Sequence, residues 1–176
     1  MHIWHDIKED RISKDEFDVL IEIPRGGNVK YELDKDTGLL RMDRILYTAT
    51  HYPSNYGFIP RTYAQDEDPL DVLVLSSEEI VPLTLVRCYP IGVVVMKDNG
   101  YLDEKIIAVP YGEPTYTTYK SIEDLPPHKL SEIKHFFKVY KQLEGKETAV
   151  EYIETVDVAK DIIEKSIKTY NEIFVK

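Results

Sequence analysis

Cysteine is almost absent from this sequence of 176 residues, which contains only Cys88. A single cysteine excludes both an intramolecular disulfide and a zinc site built from several thiolates. Long apolar runs are also absent, since stretches such as residues 93–96 fall far short of the roughly 20 residues that span a bilayer. The first residues lack the basic and apolar segments of a secretory signal. We therefore expect a cytoplasmic protein with no membrane partner.

Positive charge is scarce as well, with 22 basic residues against 32 acidic ones and a net charge of -10. A nucleic-acid-binding protein usually presents a basic surface, so this balance argues against nucleic acid as a partner. The excess of acidic residues has two explanations, solubility or a site that concentrates carboxylates around divalent cations. Local spacing, rather than total charge, can separate the two.

The first two thirds of the chain have the pattern of short β-strands, and the last third has that of helices. Strands are predicted over residues 19–23, 29–33, 39–47, 71–75, 85–96, 105–109 and 149–153. Asp98-Asn99-Gly100 predicts a hairpin turn. Helices are predicted over residues 127–143 and 158–174, with Tyr170 and Phe174 facing inward. No linker or repeat is visible, so residues 1–176 are expected to form a single domain. The predicted fold class is mainly β with α (α+β). The domain would be a closed barrel with helices packed outside.

The densest carboxylate group lies between residues 66 and 71 and contains Asp66, Asp68 and Asp71. If this segment is extended, Asp66 and Asp68 point to the same side, and Pro69 favours an extended Asp68. Neighbouring aspartates repel one another unless cations lie between them, and their hard oxygens suit Mg²⁺ or Mn²⁺. An Asp-rich turn with solvated side chains explains this spacing equally well.

A second acidic group, Asp98 and Asp103, flanks the Asn99-Gly100 turn. The alternation of a strand would place Lys105 on the same face as Asp103. Taken alone, the segment is more typical of an ordinary polar hairpin than of a site.

Together with other segments, these motifs resemble the family I soluble inorganic pyrophosphatases. The signature of that family reads aspartate, small residue, aspartate, proline, aliphatic, aspartate, aliphatic, and residues 66–72 read Asp-Glu-Asp-Pro-Leu-Asp-Val. Further matches occur in the same order at Glu22-Ile23-Pro24, Lys30-Tyr31-Glu32, Asp43-Arg44, Tyr52-Pro53-Ser54-Asn55-Tyr56-Gly57, 98–105 and 135–141. The sequence departs from the family at Glu67, where a small residue is usual, and at Asn99, where an acidic residue is frequent.

The resemblance implies a closed five-stranded OB-type β-barrel flanked by two C-terminal helices. It implies hydrolysis of pyrophosphate to two orthophosphates by a metal-activated water, without a covalent intermediate. Several Mg²⁺ ions per site would serve as cofactors, with Mn²⁺ or Zn²⁺ as possible substitutes. It also implies a homohexamer.

The resemblance assigns roles to individual residues. The metal ligands would be Asp66, Asp71, Asp103, Asp98 and Glu32, the last two serving ions that arrive with the substrate. The general base would be Asp68, with Arg44 and Tyr56 also catalytic. The substrate-binding residues would be Lys30, Arg44, Tyr56, Lys105, Tyr140 and Lys141. The supporting residues would be Glu22 and Tyr52.

Several of these residues have ordinary explanations when taken singly. Lys30 fits the solvent face of an edge strand, Arg44 fits an ion pair with Asp43, and Tyr140 fits the apolar stripe of a helix. Two other functions stay open at this point. One is a broader polyphosphate or nucleotide phosphohydrolase, and the other is a non-catalytic barrel that binds single-stranded nucleic acid or a protein.

Overall fold

The computed structural model describes residues 1–176, which form eight β-strands and two α-helices. The strands are β1 (Phe17–Ile23), β2 (Val29–Leu33), β3 (Leu40–Ile45), β4 (Asn55–Ile59), β5 (Leu70–Val74), β6 (Leu85–Asp98), β7 (Tyr101–Pro110) and β8 (Thr148–Glu154). The helices are α1 (Pro127–Val139) and α2 (Val156–Phe174), and neither combines the length and the hydropathy needed to cross a membrane.

Five strands close into a ring in the order β1-β4-β5-β7-β6, because β6 also pairs with β1. Every pairing is antiparallel except that of β5 with β7. The 14 residues of β6 are enough to pair with β1 over 85–88 and with β8 over 93–98. β2 and β3 form a separate two-stranded hairpin. The predicted α+β fold, a closed five-stranded barrel with two C-terminal helices, is confirmed.

β4 is absent from the sequence prediction because Pro53, Ser54, Asn55 and Gly57 are typical of turns. The strand is nevertheless buried over its whole length. A Cβ atom on Gly57 would lie 1.9 Å from the carbonyl oxygen of Leu20. Glycine is therefore required here because β1 passes too close for a side chain.

Both faces of the ring strands are buried. In β7, Ile107 and Val109 belong to a core cluster shared with Phe137 of α1. Ile106 and Ala108 point the other way, into a cluster shared with residues of α2. The two helices thus cover apolar surface that the alternation of the strands presents on opposite faces.

The helix ends differ from the sequence prediction. α1 ends at Val139 rather than at residue 143, because the chain tightens into a 3₁₀ turn at Gln142–Glu144 and reverses at Gly145, whose φ is 72°. α2 begins at Val156, two residues earlier than expected. Phe174 does not face the core but is 41% exposed, with its ring centroid 5.2 Å from that of Trp4.

A buried carboxylate, Glu113, joins the loop after β7 to the loop after β5. It accepts hydrogen bonds from Ser76 Oγ at 2.9 Å, from the Ser77 N–H at 2.8 Å and from the Thr115 N–H at 2.9 Å. Burial alone would raise the pKa of Glu113, but these hydrogen bonds outweigh it and lower the pKa to about 2. Glu113 therefore stabilises the fold in its ionised form.

We expect Glu113→Gln to lower the free energy of unfolding at neutral pH by about 1–3 kcal/mol. Because the pKa is depressed in the folded state, this contribution is fully present above the ordinary value of 4.5 and is lost as pH falls toward about 2. Urea unfolding across this range measures the difference, with the exposed Glu172→Gln as control. Equal stability of Glu113→Gln and wild type at neutral pH would contradict the account.

Candidate active site

Three aspartates from two segments of the chain converge near the starts of β5 and β7. Asp66 lies in the loop before β5, Asp71 on β5 and Asp103 on β7, and one carboxylate oxygen from each lies within 4.8 Å of the others. The parallel pairing of β5 with β7 sets Asp71 beside Lys105, and Asp103 lies two positions earlier on the same face. The fold therefore brings together the three residues predicted as primary metal ligands.

A buried ammonium group lies against this triad. Lys105 is 2% exposed, and its Nζ is 3.0 Å from Asp71 Oδ2 and 3.2 Å from Asp103 Oδ2. The same Nζ donates a hydrogen bond to Tyr56 Oη at 2.7 Å. Burial alone would lower the pKa of Lys105, but Asp103 and Asp71 raise it well above its usual value. Lys105 is therefore a permanent cation that partly neutralises the triad.

The carboxyl groups still outnumber this one cation. Burial, followed by repulsion from Asp71 and Asp103, raises the pKa of Asp66 to about 7. Burial also raises the pKa of Asp103, although the nearby Lys105 opposes the effect. Burial raises the pKa of Glu22 well above its usual value. A divalent cation would favour the ionised forms of these groups, so the triad has the electrostatics of a cation receptor.

A cavity of about 600 Å³ opens at the triad. Its lining contains every predicted site residue except Arg44, namely Glu22, Lys30, Glu32, Tyr52, Tyr56, Asp66, Asp68, Asp71, Asp98, Asp103, Lys105, Tyr140 and Lys141. Basic side chains in the wall are held by carboxylates: Lys30 Nζ lies 3.1 Å from Glu32 Oε2, and Lys141 Nζ lies 2.5 Å from Asp98 Oδ2. The wall therefore offers ligands for cations as well as donors for an anion.

The phenols in the cavity are protonated donors. Burial raises the pKa of Tyr52, Tyr56 and Tyr140 above that of an exposed tyrosine. Their hydroxyl groups therefore keep their protons at neutral pH and can donate hydrogen bonds to an oxyanion.

The prediction of an extended segment at residues 66–68 is wrong. The chain turns there, since the Ala64 N–H donates to the Asp68 carbonyl oxygen at 2.8 Å and Glu67 adopts a φ of 66°. Asp68 consequently lies outside the carboxylate triad, although it lines the same cavity. Its Oδ1 atom is 2.6 Å from Lys35 Nζ.

Arg44 is the one predicted site residue that does not line the cavity. It is the cross-strand neighbour of Lys30 in the β2–β3 hairpin. Its guanidinium group pairs with Asp43 at 2.5 Å and with Glu144 at 2.9 Å. The pairing with Asp43 is the alternative to substrate binding that the sequence suggested for Arg44. The pairing with Glu144 was not predicted from the sequence.

The turn geometry explains why asparagine occupies position 99. Asn99 and Gly100 have φ values of 52° and 81°, the left-handed conformations of a tight hairpin turn. Asparagine tolerates this conformation better than most residues do. Asn99 lines a smaller neighbouring cavity, which shares Asp66, Asp98 and Asp103 with the larger one but leaves Asn99 outside the larger one.

One wall of the cavity was not predicted from the sequence. The turn between β2 and β3 contributes Asp34, Lys35, Asp36 and, from β3, Arg41. The only signal available was an alternation of charges after residue 33, which is common in exposed turns.

The donor set at the cavity fits hard divalent cations. The converging ligand atoms are carboxylate oxygens only, which Mg²⁺ and Mn²⁺ prefer. The buried Asp98 Oδ1 has no hydrogen-bond partner, so it is free to accept a cation. A barrel that presents clustered carboxylates beside lysines and phenols defines a cation-dependent enzyme for a small polyanion.

Comparison with known proteins identifies the family. Residues 19–171 match the family described as inorganic pyrophosphatase. The chain is 48% identical over 174 residues to soluble inorganic pyrophosphatase 2 of Chlamydomonas reinhardtii, covering 99% of this chain and 91% of the relative. It is 47% identical over 171 residues to soluble inorganic pyrophosphatase 1 of Arabidopsis thaliana, covering 97% of this chain and 81% of the relative.

Solved structures agree with the sequence matches. The crystal structure of inorganic pyrophosphatase from Thermus thermophilus superimposes with a TM-score of 0.91 at 34% identity, covering 97% of this chain and 99% of that one. The enzyme from Helicobacter pylori gives a TM-score of 0.87 at 44% identity, covering 90% and 95% of the two chains. The chain belongs to the inorganic pyrophosphatase family, whose members depend on divalent metal ions.

Proposed function

We propose that this chain hydrolyses inorganic pyrophosphate to two orthophosphates with the help of several bound Mg²⁺ ions. The observation that carries the proposal is the convergence of Asp66, Asp71 and Asp103 in a cavity that also holds lysines and protonated phenols. Membership of the pyrophosphatase family supports the choice of substrate.

Asp66, Asp71 and Asp103 would hold the resident cations, while Asp98 and Glu32 would bind those that accompany the substrate. Bound divalent cations would cancel the repulsion between this acidic cavity and pyrophosphate and would acidify the attacking water. Mg²⁺ is proposed because every converging ligand is a carboxylate oxygen, with Mn²⁺ or Zn²⁺ as possible substitutes.

Asp68 would act as general base and take a proton from the attacking water. The water oxygen forms a new bond to one phosphorus, and the bridging oxygen leaves with the electron pair of the bond that breaks. No side chain becomes covalently attached. Glu22 and Tyr52 would support the site from the buried part of the cavity wall, where both are less than one-tenth exposed.

The charge on the phosphate groups would be stabilised by donors around the cavity, namely Lys30, Arg44, Tyr56, Lys105, Tyr140 and Lys141. In the structure, the Lys105 ammonium group forms ion pairs with Asp71 and Asp103. Neutralisation of these two carboxylates by cations would free its ammonium group to face the substrate. Arg44 would have to exchange Asp43 or Glu144 for a phosphate oxygen.

We expect phosphate release from pyrophosphate in the presence of Mg²⁺ and its loss when a chelator removes the metal. Asp68→Asn should lower kcat by about 10²- to 10⁴-fold, the usual contribution of a general base. Asp36→Asn is the matched control, since Asp36 lines the same cavity without a proposed role. Steady-state assays of released phosphate provide the measurement.

Three outcomes would contradict this proposal. Equal rates with ATP and pyrophosphate would indicate a broader nucleotide phosphohydrolase. An inactive wild-type chain that binds single-stranded oligonucleotides would indicate a non-catalytic barrel. Full activity of Asp68→Asn would remove Asp68 from the mechanism.

We propose further that residues 1–176 act as a single pyrophosphatase domain in the cytoplasm and that six copies assemble. Large apolar side chains are exposed on the β2–β3 hairpin and around it, including Leu39, Met42, Ile45 and Tyr47. Contact between subunits would remove such apolar surface from water.

We expect sedimentation velocity at micromolar concentration to give a species of six times the 20.5 kDa chain mass. Addition of moderate salt should not dissociate it if apolar contacts dominate the interface. A monomer at every concentration tested would contradict the proposed hexamer.

A further inference from the structure

Lys35 bridges two walls of the candidate site. It lies in the turn between β2 and β3, and its Nζ is 2.6 Å from Asp68 Oδ1. The same Nζ donates a hydrogen bond to the carbonyl oxygen of Glu67 at 3.0 Å. One lysine therefore holds both a side chain and the backbone of the loop that carries the proposed general base.

The turn that carries Lys35 is held in a defined shape. The Asp34 carboxylate accepts hydrogen bonds from the Asp36 N–H at 3.0 Å and from the Thr37 N–H at 3.1 Å. Gly38 closes the turn with a φ of 74°. The Lys35 carbonyl oxygen is hydrogen-bonded to His2 Nε2 at 2.8 Å, so the N-terminal segment also fixes this backbone.

The loop that contains Asp68 is also held in one conformation by hydrogen bonds. Its turn is closed by the hydrogen bond from the Ala64 N–H to the Asp68 carbonyl oxygen, and the Asp68 N–H donates to Asp66 Oδ1 at 3.2 Å. The Asp68 side chain is about half exposed, and its only ion pair is the one with Lys35. No other ion pair and no hydrogen bond from another side chain engages this carboxylate.

We propose that Lys35 is a positioning residue for Asp68. By engaging Oδ1, it fixes the orientation of the carboxylate and leaves Oδ2 available to the attacking water. A general base must lie within hydrogen-bond reach of its proton at a defined angle, and small displacements cost large factors in rate. The inference rests on the proposed role of Asp68 in the hydrolysis.

This role differs from a contribution to folding. Exposed ion pairs contribute little to stability, so removal of Lys35 should leave thermal unfolding unchanged. It differs also from substrate binding, because a lysine that contacted phosphate would chiefly affect KM when removed. The positioning role predicts a selective loss of kcat.

We expect Lys35→Gln to lower kcat by about 10- to 100-fold while KM for magnesium pyrophosphate stays within about twofold. Lys35→Arg should keep most of the rate, because it retains the charge and the donors. Lys168→Gln is the matched control, since Lys168 forms another exposed pair, at 4.0 Å from Glu172 on α2. An unchanged kcat in Lys35→Gln, or a raised KM alone, would overturn the proposal.

A double-mutant cycle tests whether Lys35 acts through Asp68. In an Asp68→Asn background, Lys35→Gln should have almost no further effect, because no carboxylate is left to orient. An undiminished effect there would overturn the proposal. Asp68→Glu supplies a second background, in which the displaced carboxylate should make Lys35→Gln less harmful than in wild type.

The same assays separate this inference from the function on which it rests. A wild-type chain without pyrophosphate hydrolysis would contradict the proposed function itself. An active wild type that is sensitive to Asp68→Asn but indifferent to Lys35→Gln would overturn only the role of Lys35.

Discussion

The contact of the buried Lys105 ammonium group with Asp71 and Asp103 is the interaction on which the candidate site depends. Carboxylates inside a barrel repel one another and lose the solvation of water. Lys105, at 3.0 and 3.2 Å from the two aspartates, offsets part of that cost and lets the strands close around them. It does not neutralise the whole group, since Asp66 and Glu22 retain raised pKa values. The remaining negative charge is what makes the cavity receptive to cations.

The secondary-structure element that carries each site residue determines how firmly that residue is held. Asp71 and Asp103 are on paired barrel strands, and Tyr56 is on the neighbouring β4. The basic groups other than Lys105 and the outer carboxylates come from the β2–β3 hairpin, the end of β6 and the residues just after α1. The proposed metal ligands are thus surrounded by residues from other elements, which would suit a substrate that enters with its own cations. A chain with a net charge of -10 would otherwise repel pyrophosphate.

Local pattern was sufficient for some features of the molecule and insufficient for others. Strand alternation placed Asp103 and Lys105 on one face, and Asn99-Gly100 predicted a turn whose φ values are indeed positive. Periodicity could not predict that Asp66, Asp71 and Asp103 meet, because their proximity depends on the long-range parallel pairing of β5 with β7. Only the family resemblance indicated that these three residues share a site. The turn at residues 66–68 was missed because Glu67 takes a φ of 66°, which glutamate rarely adopts. Lys35 went unnoticed because a lysine between two strands is ordinary until its partner Asp68 is known.

The central claim is that Asp66, Asp71 and Asp103 jointly bind a divalent cation. Anomalous diffraction from crystals soaked in Mn²⁺ tests it most directly, because the ion can be located without reference to the protein density. The account predicts a peak at the triad that is coordinated by oxygen atoms of all three aspartates. Peaks confined to surface carboxylates, with none at the triad, would contradict it.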